Sequence, residues 1–598
     1  MAKRFLISTA LLLSCSAMAL MVLNKKSVSK SIKPILSVKN PLIKKQKPYP
    51  KNFFAWPIKG VIDLTGNFGE LRTNHFHSGI DIRTNGGKIG VPIYASGDGY
   101  IGRINISAKG YGKAIYIIHP NGYTTVYGHL LGFVPKISAF IESEHYSKKA
   151  FEIESTLAQH LFPVKKGELI AYSGNTGGSA GPHLHFEIRD SETDDAINPL
   201  LFGLKLSDKI KPSILSITLY GLEQSRRKET GTYRSTQYQR KGNSISNSTI
   251  DLAPGTYAIG ASWTDYLRQG GFNMGIPYAK LYVNQKLVFE QKIERIPFSD
   301  WRLMNCHLDH PILEEKNLKI VKLFVDNGNT LKIYSNTVNR GRLNIEANKS
   351  YRIKLVIRDF PGYKDSVQFT LNGSGIADAS FPPERLLPKN SDTTQASLFY
   401  PNSDNFLQST SEQSSLSINV PKGVLYDTIL FTANPSDKLI NGQIVWNVMS
   451  SSIPINDSFS IAFKPLNPIQ NPEKYVIIRL TRAGLKRPEG GSWNNGILTT
   501  KAKMLGQFYY DVDETLPSIE DVKIKGRTFS AQITDNLSGI KDIITTVDNQ
   551  WILTDYEPKA DFISGKIPDF IPAGSHNFKL SVGDKCGNIK IYEQNITL

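Results

Sequence analysis

Thiols are scarce in this sequence, with three cysteines in 598 residues. Cys15 lies in an apolar leader, which leaves Cys306 and Cys586 for the rest of the chain. That count excludes a disulfide framework, and the two read as buried thiols rather than a bridge. Helical periodicity is almost missing after Lys209, which excludes a helical bundle and favours β-sandwiches. Acidic residues are absent from the first 50 positions, which hold ten Lys and Arg. Removing those ten from the net charge of +18 leaves +8 for the other 548 residues. The positive charge is therefore a local property of the start of the chain. No nucleic-acid motif is present, and the basic stretch is not interleaved with aromatics, so nucleic acid is not an expected partner. The helical zincin pattern His-Glu-x-x-His is missing too. The Gly/Ser-rich run Gly174 to Gly181 has no phosphate-loop lysine, so its glycines read as a tight loop that presents the next strand.

What is there begins with an export signal. Lys3-Arg4 precedes the apolar run Phe5 to Leu23. Three readings stand: signal-peptidase cleavage at Ala17-Met18-Ala19, a lipoprotein box at Leu12 to Cys15, and an uncleaved membrane anchor. Lys25, Lys26, Lys30 and Lys33 oppose the anchor by the positive-inside rule. All three place the remainder outside the cytoplasmic membrane, in the periplasm or cell envelope. Residues 25–52 read as a basic disordered tether, with attraction to anionic lipid or wall polymer as the functional alternative.

The chemistry is concentrated in two runs. One is His77-Ser78-Gly79-Ile80-Asp81, the other Gly181-Pro182-His183-Leu184-His185-Phe186-Glu187. Period-2 alternation puts Phe76, Ile80 and Ile82 on one strand face and His77, Gly79 and Asp81 on the other. In the second run His183 and His185 share a face opposite Leu184 and Phe186. Two such strands offer four polar side chains to one point, and three ligands with an open position make a catalytic zinc site. His75-Phe76-His77 contains a competing His-x-His, but only His77 has Gly two later and Asp four later, so His75 reads as a rim or hydrogen-bonding residue. His119 ends a strand and reads as structural. His145 and His160 fall in an insertion, residues 131–163, and read as solvent-facing; that insertion is expected as a hairpin or short helix beside the groove.

Ordered blocks extend the pattern: Trp56-Pro57, Asn67-Phe68-Gly69, Ala95-Ser96-Gly97-Asp98-Gly99, Gly110-Tyr111-Gly112, Tyr127-Gly128-His129-Leu130, Val164 to Glu168 and Ser173 to Gly177. Together with the two runs they resemble the M23 zinc metallopeptidases, the LytM/lysostaphin-type peptidoglycan endopeptidases, over about a quarter of the chain. The resemblance implies Zn2+ held by His77, Asp81 and His185. It implies His129 and His183 as the catalytic histidines, with His183 the base and His129 binding or protonating the developing oxyanion. Glu187 shares a face with His185 and lies beyond it, which suits a supporting role better than that of general base. Degenerate relatives act as activators of other wall enzymes and usually lack some of the five residues; all five are present here.

The expected fold is all-β, an M23-type antiparallel sheet followed by several Ig-like β-sandwiches. The expected partition is 1–24 signal or anchor, 25–52 tether, 53–205 peptidase and 206–375 an expanded Ig-like sandwich. Then follow 376–413 as linker, 414–510 as a β domain of unknown role and 511–598 as an Ig-like sandwich. A diverged repeat links the two Ig-like units: Pro212-Ser213-Ile214 matches Pro517-Ser518-Ile519, Thr264-Asp265 matches Thr534-Asp535, and Asp359-x-x-Gly362 matches Asp584-x-x-Gly587. Asp265, Asp359, Asp535 and Asp584 read as turn formers rather than calcium ligands. The functional expectation is an exported zinc endopeptidase that hydrolyses amide bonds in peptidoglycan peptides through a metal-activated water. The alternatives are a peptidase of envelope proteins, and a non-catalytic envelope-binding protein or activator whose C-terminal β domains bind protein partners.

Overall fold

Four hairpins show how the chain is built. Asn284-Gln285, Asn441-Gly442, Asn495-Gly496 and Asp548-Asn549 each supply two successive residues of positive φ. Each pair is the whole loop between two antiparallel strands. Two left-handed residues in a row match the right-handed twist of the flanking strands, and Asn, Asp and Gly tolerate that conformation best. Among the described residues strands take up 51% and helices 8%, so the fold is all-β. The computed structural model describes residues 48–222, 233–374 and 396–598. The export signal, Cys15, the tether up to residue 47, residue 375 and residues 376–395 of the expected linker lie outside the described residues. Among the described residues no helix is long and apolar enough to cross a membrane.

The first sheet holds the motif residues. Its strands run in the order Leu64–Gly66, Ile80–Arg83, His183–Asp190, Tyr123–Phe133, Lys113–Ile118, Gly99–Ile106, Pro163–Val164, with every pairing antiparallel. Ile80, Ile82, Leu184, Phe186 and Ile188 are fully buried beneath it. Their alternation sends His183 and His185 to the opposite face, as the period-2 pattern predicts. The expected unbroken strand from Phe76 to Ile82 is not found. His75–Phe76 pairs in a small hairpin with Leu71–Arg72, and the ladder resumes only at Ile80. Gly79 lies in the break because a Cβ there would meet the Phe186 carbonyl oxygen at 2.3 Å and Glu187 Cγ at 2.8 Å.

The insertion carries a helix, Pro135–Lys148, begun by proline in its first turn and ended by the left-handed Lys149. Ile137, Ile141 and His145 form its buried stripe. His145 is therefore not solvent-facing: its Nδ1 lies 2.8 Å from the Ala150 carbonyl oxygen. His160 is exposed.

Three sheet pairs follow. Two six-stranded sheets cover Ser213–Gly221 to Lys364–Gly373, a six- and a five-stranded sheet cover Ala396–Phe399 to Gly506–Val512, and two four-stranded sheets cover Ser518–Lys525 to Ile589–Thr597. Each has its own apolar core. Cys306 and Cys586 are both buried and form no disulfide. Within the first sandwich the stretch after Arg295–Ile296 folds as short helices, Phe298–Leu303, Met304–His307 and His310–Lys316. Leu303, Met304, Cys306 and Leu308 join the core under the first sheet, not that of their own sandwich. Arg295–Ile296 adds a short strand to that sheet beside Ala196–Ile197.

Candidate metal centre

The strand His183–Asp190 is the axis of the site. It pairs with Ile80–Arg83 on one side, setting His185 opposite Asp81, and with Tyr123–Phe133 on the other, setting His185 opposite Gly128. His77 enters from the break before Ile80. The result is a triangle of donor atoms. His77 Nε2 is 3.1 Å from Asp81 Oδ1 and 3.1 Å from His185 Nδ1, and His185 Nδ1 is 2.8 Å from Asp81 Oδ1. All three residues are 4% exposed or less.

The outer atoms of the three fix their protons. His77 Nδ1 donates to the Asn67 carbonyl oxygen at 2.8 Å, and His185 Nε2 donates to Glu187 Oε1 at 2.7 Å. Each imidazole therefore turns a bare lone pair inward. Asp81 Oδ2 accepts from Arg72 Nη2, which leaves Oδ1 for the centre. Two lone pairs and a carboxylate oxygen converge with no proton assigned between them, an arrangement that repels itself unless a cation joins it. Ligands around a tetrahedral zinc with bonds of about 2.0–2.2 Å stand roughly 3.3 Å apart. The observed spacings fit a small first-row ion.

The pKa directions agree. Burial lowers His77 to about 4. Burial works against the Asp81 carboxylate, yet His77, His183 and His185 hold its pKa well below the usual range. Burial also disfavours a charged His185, but the hydrogen bonds and charges of Asp81 and Glu187 prevail and raise it to about 9. Positive charge is favoured at the centre of the triangle, whether proton or metal supplies it.

Two further histidines flank the triangle. His183 Nδ1 donates to the Gly181 carbonyl oxygen at 2.7 Å, and its Nε2 lies 3.3 Å from Asp81 Oδ1 with no hydrogen-bond partner. His129 Nδ1 donates to the Thr176 carbonyl oxygen at 2.8 Å, and the His129 and His183 rings are 4.8 Å apart. Burial, then the neighbouring His185 and His183, lower His129 to about 3, so it is neutral. His129 has φ +58° inside a strand. A left-handed non-glycine residue there interrupts the ladder and re-aims the side chain, a conformation that costs about 1–3 kcal/mol and concentrates at functional sites. Among the other histidines, His75 Nδ1 lies 2.8 Å from the Thr73 carbonyl oxygen and its ring 6.0 Å from Trp301. His119 is engaged on both nitrogens, by the Asp98 carbonyl oxygen and Thr125 Oγ1.

Glu187 stands behind His185, where strand alternation expects it. It also accepts from Ser78 Oγ at 2.5 Å, Tyr111 Oη at 2.7 Å and Arg189 Nε at 2.6 Å. Arg189 donates to Tyr111 Oη at 3.0 Å and lies 4.2 Å from the Phe298 ring. Arg72, Tyr111 and Arg189 were not anticipated as site residues. Only Arg189 had a readable signal, because it continues the face of His185 and Glu187.

Comparison with known proteins follows the same residues. Peptidase family M23 matches residues 75–143 and 140–199, and a Zu5-like domain matches residues 396–513. An uncharacterized metalloprotease of Haemophilus influenzae is 36% identical over 160 residues, covering 26% of this chain and 28% of that protein. The DD-carboxypeptidase/endopeptidase Mpg of Neisseria meningitidis is 36% identical over 134 residues, covering 22% and 24%. The catalytic domain of lysostaphin from Staphylococcus simulans is 26% identical, covering 23% of this chain and 87% of that one, with a TM-score of 0.17. The match spans less than a third of these two curated relatives. The chain carries a peptidase family M23 domain, and that family of metallopeptidases implies a bound metal.

Proposed function

We propose that the protein is an exported zinc endopeptidase that hydrolyses amide bonds in peptidoglycan peptide stems or cross-links. The observation that carries the reading is the convergence of His77 Nε2, Asp81 Oδ1 and His185 Nδ1 within 3.1 Å of one another, with an unpartnered His183 Nε2 beside them. The substrate class rests on the relatives, among them the peptidoglycan DD-endopeptidase ShyB of Vibrio cholerae. A zinc ion held by the three residues would polarise the scissile carbonyl and bring the pKa of water to about 7.

The chain's own groups would manage the protons. His183 and His129 each commit Nδ1–H to a backbone carbonyl, so each presents Nε2 as an acceptor. His183 accepts a proton at Nε2 from the attacking water and returns it to the leaving amine nitrogen. His129, neutral at rest, would take a proton at Nε2 from solvent water as negative charge develops on the substrate oxygen, and then donate a hydrogen bond to that oxygen.

The test is release of soluble peptides from purified peptidoglycan by the full chain. Wild type, a chelated and zinc-restored sample, and His183→Ala would be compared. Zinc-dependent release is expected, with about 10²–10⁴-fold loss in the variant at unchanged zinc content. Absence of release by folded, zinc-loaded protein would overturn the reading in favour of a protein substrate or an activator role.

A further inference from the structure

The repeat that relates the first and last sandwiches carries more than turns. Asp208 stands four residues before Pro212, and Asp513 four before Pro517. In the first unit Asp208, Asp265 and Asp359 bring oxygens within 4.8 Å of one another, and in the last Asp513, Asp535 and Asp584 do the same. Each triad sits at the pole where the chain enters its sandwich. Asp208 lies in the connection between Pro199–Phe202 and Ser213–Gly221, and Asp513 between Gly506–Val512 and Ser518–Lys525. The other members close strands: Asp265 follows Gly255–Thr264, Asp535 follows Thr528–Thr534, Asp359 follows Ser350–Arg358, and Asp584 ends Ser575–Asp584.

Turn formation leaves a buried oxygen bare on four of the six, whereas Asp584 is engaged on both: Oδ1 accepts from the Cys586 and Asn588 amides and Oδ2 from Asn588 Nδ2 at 2.7 Å. Asp359 Oδ1 accepts from the Gly362 and Tyr363 amides at 2.6 and 2.7 Å, while Oδ2 has no partner, although the residue is 1% exposed. Asp513, also 1% exposed, accepts from the Ser538 amide at Oδ2 and has a bare Oδ1. Asp208 Oδ2 and Asp535 Oδ1 are buried and bare in the same way. Among the described residues none of the six forms an ion pair. Two cations close by in sequence or contact are engaged elsewhere: Arg358 lies 3.8 Å over the Tyr278 ring, and Lys474 Nζ donates to Asn588 Oδ1 at 2.6 Å. Buried carboxylates without donors or counter-charges are costly. The cost shows in Asp265, which burial and then Asp359 and Asp208 raise to about 7. The two units carry the same three-aspartate cluster at the same pole.

We propose that each triad is a binding site for a hard divalent cation of the calcium class, one at the entry to each Ig-like sandwich. Three carboxylates and no nitrogen or sulfur donor select calcium over zinc, and waters or backbone carbonyls complete its six to eight oxygens. The ion would tie the entering chain, through Asp208 or Asp513, to the strand ends that carry the other two aspartates. It would thereby fix the junction between each sandwich and what precedes it. This site is separate from the His77–Asp81–His185 centre and does not depend on the catalytic reading.

The full chain tests it by equilibrium dialysis against calcium after loading with zinc. Two calcium ions per chain are expected, with affinity in the 10⁻⁴–10⁻³ M range of extracellular modules or tighter. Asp359→Asn and Asp535→Asn should each remove one, and the double variant both. Asparagine keeps the turn-forming oxygen, so the fold is preserved. Thermal unfolding supplies a sign that mere structural roles would not. Each variant should melt below wild type in calcium and at or above it in a calcium-selective chelator, where the uncompensated charge is gone. No calcium bound at 5 mM, or variants ranked identically with and without calcium, would overturn the proposal and leave the triads as buried acids that keep a proton.

Discussion

Glu187 decides the state of His185 and so of the whole triangle. It is fully buried and receives His185 Nε2, Tyr111, Ser78 and Arg189. Burial would raise its pKa, but Arg189 first and then His185 hold it below the usual range, so it remains a carboxylate. Glu187→Gln keeps the shape and removes the charge. Zinc affinity is expected to fall about 10–100-fold, read by competition with a chromophoric chelator; unchanged affinity would refute the orienting role. His77, Asp81, His183 and His185 were legible because two short runs carry them and strand alternation says which way they point. Tyr111 and Arg72 were not, because a loop distant in sequence brings in the one and a two-residue hairpin that no alternation announces brings in the other. The left-handed turn at His129 also left no mark, since nothing in Tyr-Gly-His-Leu announces a bulge.

At the scale of elements, the insertion after Arg295–Ile296 braces the peptidase sheet. His307 on the helix Met304–His307 is fully buried, with Nδ1 2.9 Å from Tyr334 Oη. Burial, helped by Lys322, lowers its pKa to about 3. The unfolded chain, with a histidine pKa near 6.5, binds a proton that the folded state refuses between those values. Stability therefore rises with pH across that window and is lost as pH falls from about 6.5 towards 3. His307→Phe should weaken this acid limb, so that the melting temperature falls less between pH 7 and pH 5 than in wild type. Equal slopes would refute it. Tyr334 keeps Asn329 Nδ2 as a donor at 2.9 Å in the variant. The sandwich strands around this insertion were legible from alternation and turn residues. Its helices were not, because they are short and owe their place to a core formed by another domain.

On the scale of the molecule, the last sandwich reaches back to the first sheet. Tyr146, on the helix Pro135–Lys148, meets the rings of Trp551 and Phe570 at centroid distances of 5.3 and 5.6 Å. Lys113 Nζ pairs with Asp555 at 3.2 Å. Lys559 Nζ donates to the Asn175 and Ser179 carbonyl oxygens. Those two carbonyls belong to the loop that delivers His183, and Thr176 between them holds His129. Gly177, at φ +70° with no room for a Cβ against Gly112, gives the loop its path but no stiffness of its own. A lysine bound to two of its carbonyls supplies a restraint from 380 residues away. Sequence alone offers no warning of such a contact, since Lys559 reads as one more surface charge. Lys559→Ala should lower kcat by up to about tenfold, short of the roughly 10²-fold that a 1 Å misplacement costs. Zinc content and melting temperature should stay at wild-type values, because the side chain is exposed and its bonds go to the Asn175 and Ser179 carbonyls, not to His77, Asp81 or His185. A rise in kcat would mean instead that the last sandwich obstructs the groove, and that freeing the loop admits substrate faster than it disorders the two histidines.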